Sequence, residues 1–115
     1  MSVYFVQVET TLPTKQQATR IARAVVKARL AACAQVSGPV ASTYRWQGRV
    51  ETAREWLVVA KTIRARVPAI RAAIEDLHPY DTPQVTVVPI TCAAPRYAAW
   101  LTAAVTPGRP VRRKQ

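Results

Sequence analysis

The stretch ASTYRWQGRVETAREWLVVAKT at residues 41–62 decides the fold, because it holds two strand-forming runs around a tight reversal. The first run continues to Trp46 and is followed by Gln47 and Gly48, where glycine can take a positive φ at low cost. The second run ends in WLVVA at 56–60, whose continuous apolarity is typical of a central strand buried on both faces. The stretch therefore predicts a long β-hairpin.

The residues before this hairpin predict a first strand, a helix and the start of the second strand. The β-branched and aromatic run at 3–9 favours a strand. Thr14 and Gln17 have the spacing of a capping box, which predicts a helix that begins there. Apolar residues then recur at three- and four-residue steps over 18–28, as on the buried face of a helix. A Gly-Pro pair interrupts the next strand, which is expected to begin at 35–40.

The residues after the hairpin predict a second helix, a fourth strand and a last helix. Helical spacing of apolar residues marks 67–77, and His78 closes this helix because a residue before proline disfavours the α region. The run 84–90 predicts a strand and 95–105 a short helix. The resulting order is that of a split β-α-β domain of the α+β class, with two helices on one face of an antiparallel sheet.

Length and composition are consistent with one folded domain. A chain of 115 residues can form one compact core and is too short for two domains of ordinary size. Half of its residues are apolar and 20% are charged, as in ordinary globular proteins. We therefore predict a single domain over residues 1–106. Residues 107–115 combine prolines and cations with little that could be buried, which predicts a basic disordered tail.

The charge balance is strongly basic, with 17 Lys and Arg against 6 Asp and Glu and a net charge of +11. Such a balance can indicate a nucleic-acid partner. However, four cations lie in the tail, and the others are scattered without the alternation of aromatic and basic residues that single-strand binders use. Nucleic acid is therefore not an expected partner. The tail cations are Arg109, Arg112, Arg113 and Lys114.

Targeting and catalytic motifs point to a cytoplasmic protein that is not an enzyme. The first residues show neither a basic leader nor a small-residue cleavage pattern, and no apolar stretch approaches the roughly 20 residues of a membrane span. In a reducing compartment Cys33 and Cys92 are expected to be free thiols, most simply buried ones. The sequence contains no nucleophile elbow, Walker loop or HisGluXXHis pattern.

The predicted sheet implies association between subunits. Two helices on one face leave the other face and the long hairpin with apolar residues that a single copy would expose. The open edges of such a sheet also favour pairing with another chain. Closed symmetric rings are the usual outcome, so we expect a homo-oligomer.

The only histidine, His78, lies in the motif HPYDTPQ at 78–84. Imidazole and thiolate groups suit copper and zinc, so His78, the two thiols and a few carboxylates are candidate metal ligands. A histidine at the C-terminus of a helix is also favoured by the free carbonyls and the macrodipole found there. On these residues alone, a helix cap and a metal ligand both remain open.

Five motifs, in this order and at compatible spacing over residues 3–101, resemble the CutA divalent-cation-tolerance family. The resemblance implies a ferredoxin-like βαββαβ sandwich with a long hairpin between the second and third strands, a C-terminal helix, and assembly as a homotrimer. It makes residues 1–106 a single CutA-like domain. The motifs are RLAAC at 29–33, YRWQG at 44–48 with Glu51, EWLVVAKT at 55–62, HPYDTPQ at 78–84, and Tyr97 with Trp100.

The resemblance also implies a function and a site. It predicts a role in tolerance of divalent cations and binding of a divalent metal ion, copper or zinc. His78 matches the family's metal ligand, and Cys33 and Glu51 are candidate further ligands, although a buried thiol is the simpler interpretation of Cys33. The aromatic residues that match the family pattern are expected to pack around a cleft between subunits. They are Tyr44, Trp46, Tyr80 and Trp100.

An alternative function is a regulatory trimer that binds a small anion or metabolite between subunits, as PII-like signalling proteins of similar architecture do. Arg45 and Lys61 would provide its positive charge beside the aromatic cleft. A panel of metabolites scored by thermal shift distinguishes the two hypotheses, because a true ligand stabilises the folded protein.

Overall fold

The computed structural model describes residues 4–106, and their element order confirms the predicted α+β fold. The predicted basic tail, 107–115, lies outside the described residues. The elements are β1 Phe5–Leu12, α1 Lys15–Lys27, β2 Cys33–Trp46, β3 Arg49–Ile63, a short 3-10 helix Arg64–Arg66, α2 Val67–Leu77, β4 Thr86–Ile90 and α3 Pro95–Ala104.

The four strands form one antiparallel sheet in the order β2-β3-β1-β4. β1 pairs with β3 along its whole length, from Phe5 opposite Ile63 to Leu12 opposite Trp56. The first strand therefore runs three residues beyond its predicted end at residue 9. Its last residues look polar in isolation, but they complete the pairing with the apolar centre of β3.

One face of the sheet packs against α1 and α2 and forms the main core. Strand alternation directs Val8 and Leu12 of β1 to this face, together with Val58 and Ala60 of β3. The helices contribute Ile21, Val25, Ile70 and Ile74, each at most 1% exposed. Full burial of each such side chain stabilises the fold by about 1.5–3 kcal/mol.

Helix α1 begins where its capping pattern predicts. The backbone N–H of Gln17 donates to Oγ1 of Thr14 over 3.1 Å, and the Thr14 hydroxyl donates to Oε1 of Gln17 over 3.0 Å. Thr14 is therefore the N-cap, with an extended backbone. Of the helices within residues 4–106, none combines the length and apolarity required to cross a membrane.

The opposite face of the sheet is only partly covered. Helix α3 packs over one end of it, where Leu101 and Val105 contact Ile63 beside the half-buried Phe5. The prediction that 56–60 is buried on both faces is wrong for a single chain, because Val59 on this face is only half-buried. The middle of the second face therefore remains accessible to another molecule.

The hairpin extends well beyond the sheet as a two-stranded arm. β1 pairs only with the 56–63 part of β3, so residues 40–55 form the hairpin arm without a third strand. Its turn is the predicted one: Gln47 and Gly48 both have positive φ, 49° and 76°, as in a type I′ turn. The arm exposes several large apolar side chains. They are Val40, Tyr44, Trp46 and Val50.

Candidate functional site

The hairpin arm and the segment that follows α2 enclose a cleft of about 600 Å³. Its lining brings together parts of the chain that lie up to about seventy residues apart, from Thr11 on β1 to Gln84 before β4. Two kinds of side chain dominate the lining. Three are aromatic, from Tyr44, Trp46 and Tyr80, and three are carboxylates, from Glu51, Glu55 and Asp81.

The strand geometry of the arm explains why four of these side chains meet. Residues two or four apart on a strand point to the same face, which groups Tyr44 with Trp46 on β2 and Glu51 with Glu55 on β3. Tyr44 lies directly opposite Glu51 in the strand register, so both pairs share one face of the arm. The segment after α2 adds Tyr80 to this face.

His78 lies immediately behind the cleft wall and is held by two hydrogen bonds. Its Nδ1 accepts the backbone N–H of Tyr80 over 3.2 Å. Since Nδ1 is the acceptor, the proton of the neutral ring is on Nε2, which donates to the carbonyl of Thr11 over 2.8 Å. The imidazole therefore joins the end of α2 to β1, and neither of these two hydrogen bonds goes to a carbonyl of α2.

The surroundings of His78 keep it neutral. Burial lowers the pKa of the imidazole below its ordinary value of 6.5, because burial penalises the charged form. The hydrogen bond to Thr11 and the charge of Glu55 act in the opposite direction and are smaller. His78 is thus an uncharged ring, and both of its nitrogens are hydrogen-bonded.

Glu55 is a buried carboxylate at the base of the cleft. Its side chain is only 7% exposed, and Oε2 accepts the hydroxyl of Tyr80 over 2.9 Å. Burial, followed by this hydrogen bond, raises the pKa of Tyr80 to about 12. The partner of the Glu55 carboxylate is therefore an uncharged phenol, which orients the carboxylate without neutralising it.

The cleft is acidic although the chain as a whole carries a charge of +11. Three of the six acidic residues in the sequence line it, while no lysine or arginine from residues 4–106 does so. The ion pair found within the described part of the chain joins Arg71 to Glu75, both exposed on α2. The cleft carboxylates are therefore not paired with cations in that part of the chain.

Cys33, a predicted candidate ligand, lies far from this cleft. It is opposite Lys61 on β3, ten residues along the strand from Glu51, which corresponds to about 33 Å at 3.3 Å per residue. Its Sγ is 3.6 Å from the hydroxyl of Tyr97. Both cysteines are free thiols; they were expected to be buried, but Cys33 is only half-buried and Cys92 is exposed. One subunit does not bring Cys33 and Glu51 together.

Of the four aromatic residues expected around a cleft between subunits, three line this cleft within one subunit and Trp100 does not. Trp100 packs instead beside Tyr97, with ring centroids 5.5 Å apart, in the cluster under α3. Sequence reasoning did not predict that Asp81 lines the cleft or that Tyr80 donates a hydrogen bond to Glu55. No local signal connects positions that lie 25 residues apart; only the fold places them side by side.

Within residues 4–106, no three side chains of histidine, cysteine, aspartate or glutamate are grouped closely enough to hold a metal ion. His78 and Glu51 belong to the same end of the molecule, on either side of the cleft wall. The assignment of His78, Cys33 and Glu51 as metal ligands therefore stays a prediction.

The fold and the cleft define a small α+β protein of ferredoxin-like topology whose long hairpin arm forms one wall of an acidic, aromatic site. A family model described as CutA1 divalent ion tolerance protein matches residues 6–104. The chain belongs to this family. The resemblance inferred from the five sequence motifs is thereby confirmed.

Individual relatives agree with this assignment. The chain is 37% identical over 91 residues to Protein CutA of Mus musculus and to the divalent-cation tolerance protein CutA of Thermus thermophilus. Each match covers 79% of this chain; it covers 51% of the mouse protein and 88% of the Thermus protein. The chain thus spans about half of the mouse relative.

Solved structures agree on the fold. A CutA crystal structure from Xylella fastidiosa is 33% identical, with a TM-score of 0.86 over 89% of this chain and 98% of that one. CutA1 from a psychrotrophic Shewanella is 30% identical, with a TM-score of 0.88 over 94% and 100% of the two chains. The predicted ferredoxin-like fold is confirmed.

Proposed function

We propose that this chain acts in divalent-cation tolerance as a cytoplasmic, non-catalytic homotrimer that binds a divalent metal ion, copper or zinc, at the cleft. Membership of the CutA1 divalent ion tolerance family supports the general role. The observation that carries the cation-binding part is the charge of the lining. Half of the acidic residues of a strongly basic chain line this one cleft.

The buried carboxylate makes a bound cation favourable. A carboxylate removed from water costs free energy unless an opposite charge compensates it. Glu55 has a phenol as its hydrogen-bond partner, so its negative charge is available to a cation in the cleft. Glu51 and Asp81 add charge at the more exposed side, where they would attract a dication from solution.

His78 is the nitrogen ligand in this proposal, and its two hydrogen bonds limit how it can bind a metal ion. Metal ligation requires a neutral imidazole, which the lowered pKa provides. Both ring nitrogens are hydrogen-bonded, so a metal must displace one partner. The longer bond, 3.2 Å from the Tyr80 amide to Nδ1, is the easier one to exchange. This exchange predicts modest affinity.

A second subunit would complete the ligand set. One chain does not group three donors of the required types among its described residues, and Cys33 lies at the far end of the sheet. A Cys33 thiol would therefore reach the site only from a neighbouring copy. A homotrimer would also cover the exposed apolar residues of the hairpin arm and the half-covered second face of the sheet.

Calorimetric titration with copper and zinc tests the proposal. The wild type is expected to bind, and His78→Gln, which keeps a side-chain donor for Thr11, should bind at least about tenfold more weakly, since one ligand is worth more than about 1.4 kcal/mol. Glu75→Gln, an exposed acidic position on α2, is the matched control and should bind as the wild type does. Equal binding by wild type and His78→Gln, or no binding by either, contradicts the metal assignment.

The alternative of a PII-like anion-binding trimer receives less support from the geometry. Lys61, one of its two proposed contacts, donates to Oε1 of Gln35 over 3.0 Å and lies opposite Cys33, away from the cleft. Three carboxylates in the lining would repel an anion. Binding of a nucleotide or carboxylate metabolite that survives Lys61→Ala but not Trp46→Leu would nevertheless favour an anion site in the cleft.

A further inference from the structure

We propose that the outward face of helix α1 binds the phosphate backbone of double-stranded DNA without reading its sequence. This basic face carries Lys15, Arg20, Arg23 and Lys27, all of them exposed. Helix α1 packs on the opposite side of the sheet from the half-covered face that the proposed homotrimer would bury. The proposal uses no residue of the cleft or of the hairpin arm, and it does not depend on metal binding.

Helical geometry brings these cations together. Arg20 and Arg23 are three residues apart and Arg23 and Lys27 four apart, so they are neighbours on the helix surface. From Lys15 to Lys27 the basic face extends for about 18 Å at 1.5 Å per residue. In the sequence the cations outside the tail look scattered, which argued against a nucleic-acid partner. The fold presents four of them on one surface.

No carboxylate on the helix balances this charge. Helix α1 contains no aspartate or glutamate, and the ion pair within residues 4–106 is formed on α2, between Arg71 and Glu75. Like charges four residues apart, as in Arg23 and Lys27, oppose helix formation, and Lys15 lies at the N-terminus, where the macrodipole disfavours a cation. A face that only contacts water gains nothing from this arrangement, whereas a bound polyanion would neutralise it.

The other side chains of the basic face favour a duplex over other anionic partners. Helix α1 has no aromatic residue on which the bases of a single strand could stack. Val26 is the one large apolar residue that α1 exposes, which is too little for insertion into a membrane or for the apolar core of a protein interface. Gln16 adds an exposed amide beside the cations. Guanidinium, ammonium and amide groups are donors that suit phosphate oxygens.

The dimensions of the helix fit B-form DNA. An α-helix with its side chains is about 10–12 Å across, and the major groove of B-form DNA is about 12 Å wide. The corresponding groove of A-form RNA is deep and narrow. Cations along the outward side of α1 can therefore reach the phosphates at the edges of a B-form groove. Phosphate contacts carry no sequence information, so duplexes of unrelated sequence should bind equally.

Fluorescence anisotropy of a short labelled DNA duplex, titrated with the full chain at several salt concentrations, tests the proposal. The affinity of the wild type is expected to fall with salt, with a slope of log K against log salt of about −3 or steeper, because at least three phosphates are contacted. No binding of the wild type, or binding that does not respond to salt, overturns the proposal.

A variant of α1 locates the site. Arg20→Gln, Arg23→Gln and Lys27→Gln together remove three charges, and this variant should lose at least about tenfold in affinity and about 3 from the magnitude of the salt slope. The three positions are exposed and glutamine favours helices, so the variant is expected to fold as the wild type does. Unchanged affinity would overturn the assignment to α1.

The matched control removes three charges from the tail, with Arg109→Gln, Arg112→Gln and Arg113→Gln in the full chain. Its net charge equals that of the α1 variant, so the comparison separates the basic face from the general basicity of the chain. We expect the control to lose less than about threefold in affinity. A loss as large as that of the α1 variant would overturn the proposal.

Single-stranded DNA of the same length and vesicles that contain anionic lipid are the competing probes. Both should bind more weakly than the duplex, because the basic face offers neither aromatic stacking nor an apolar surface for insertion. Binding of either probe as tightly as the duplex would overturn the choice of a duplex as partner.

Discussion

The hydrogen bond from Tyr80 to Glu55 is the contact on which the shape of the cleft depends most directly. Tyr80→Phe removes only the hydroxyl, which donates to Oε2 of Glu55 over 2.9 Å, and leaves the ring in place. The substitution leaves a buried carboxylate without its phenol partner. We expect it to destabilise the fold and to release the segment that forms one wall of the cleft.

The size of this effect follows from the burial of the two partners. A hydrogen bond to a charged group contributes about 1.5–3 kcal/mol. Glu55 is 7% exposed but Tyr80 is 37% exposed, so water can replace part of the lost bond. We therefore expect the free energy of unfolding to fall by about 1–2 kcal/mol. With a urea dependence of about 2 kcal/mol per M, the midpoint should move down by about 0.5–1 M.

Urea denaturation at one fixed protein concentration measures this, because association would make stability depend on concentration. The same substitution in a Glu55→Gln background isolates the charged part of the bond, and it should cost about 1 kcal/mol less there. An equal cost in both backgrounds would refute the reasoning, since the phenol would then not be acting on a carboxylate.

The titration of the Tyr80 phenol also reports directly on its hydrogen bond to Glu55. Absorbance titration of the wild type minus Tyr80→Phe should show one tyrosine with a pKa of about 12, against an ordinary value of 10.0. Since the folded-state pKa is the higher one, the stabilisation is complete below pH 10 and is lost as the pH rises towards 12. A difference spectrum that titrates near pH 10 would contradict the bond.

Three further predictions concern stability. The pKa of His78 is lowered in the folded state, so the contribution of His78 to the free energy of unfolding is complete above pH 6.5 and is lost as the pH decreases below that value. Chemical denaturation from pH 7.5 to 5 should show this loss in the wild type and not in His78→Gln. Gly38→Ala should destabilise by about 1–3 kcal/mol, because a Cβ there would lie 2.8 Å from Cδ1 of Trp56; a urea midpoint equal to that of the wild type would contradict the crowding. Ile70→Ala should cost about 2–5 kcal/mol in the same assay because Ile70 is fully buried in the main core, and a loss below 1 kcal/mol would mean that the site collapses around the cavity.

The parts of the fold that could be predicted are those that a few neighbouring residues determine. Thr14 and Gln17 specify a helix start within four residues, and Gln47 with Gly48 specifies a turn within two. Such signals depend on backbone geometry that neighbouring residues determine. The element order and the antiparallel sheet followed from them.

The predictions that failed concern features that depend on contacts between distant segments of the chain. The end of β1 was placed at residue 9 although Thr10 and Thr11 are β-branched and favour strands; pairing with β3, which continues to Leu12 opposite Trp56, determines where the strand ends. Trp100 was expected, from the family resemblance, beside a cleft between subunits; within one chain α3 places it at the Phe5 and Ile63 end of the sheet, away from the cleft at Thr11. The bond from Tyr80 to Glu55 similarly depends on how the hairpin arm lies beside the end of α2.

The central claim is that the acidic cleft binds cations, and calorimetric titration of zinc into a variant without its outer charge tests it most directly. The variant carries Glu51→Gln and Asp81→Asn, which preserve size and remove two negative charges from the lining. We predict zinc binding to the wild type and at least about tenfold weaker binding to the variant. Equal affinity of the two proteins for zinc would contradict the claim.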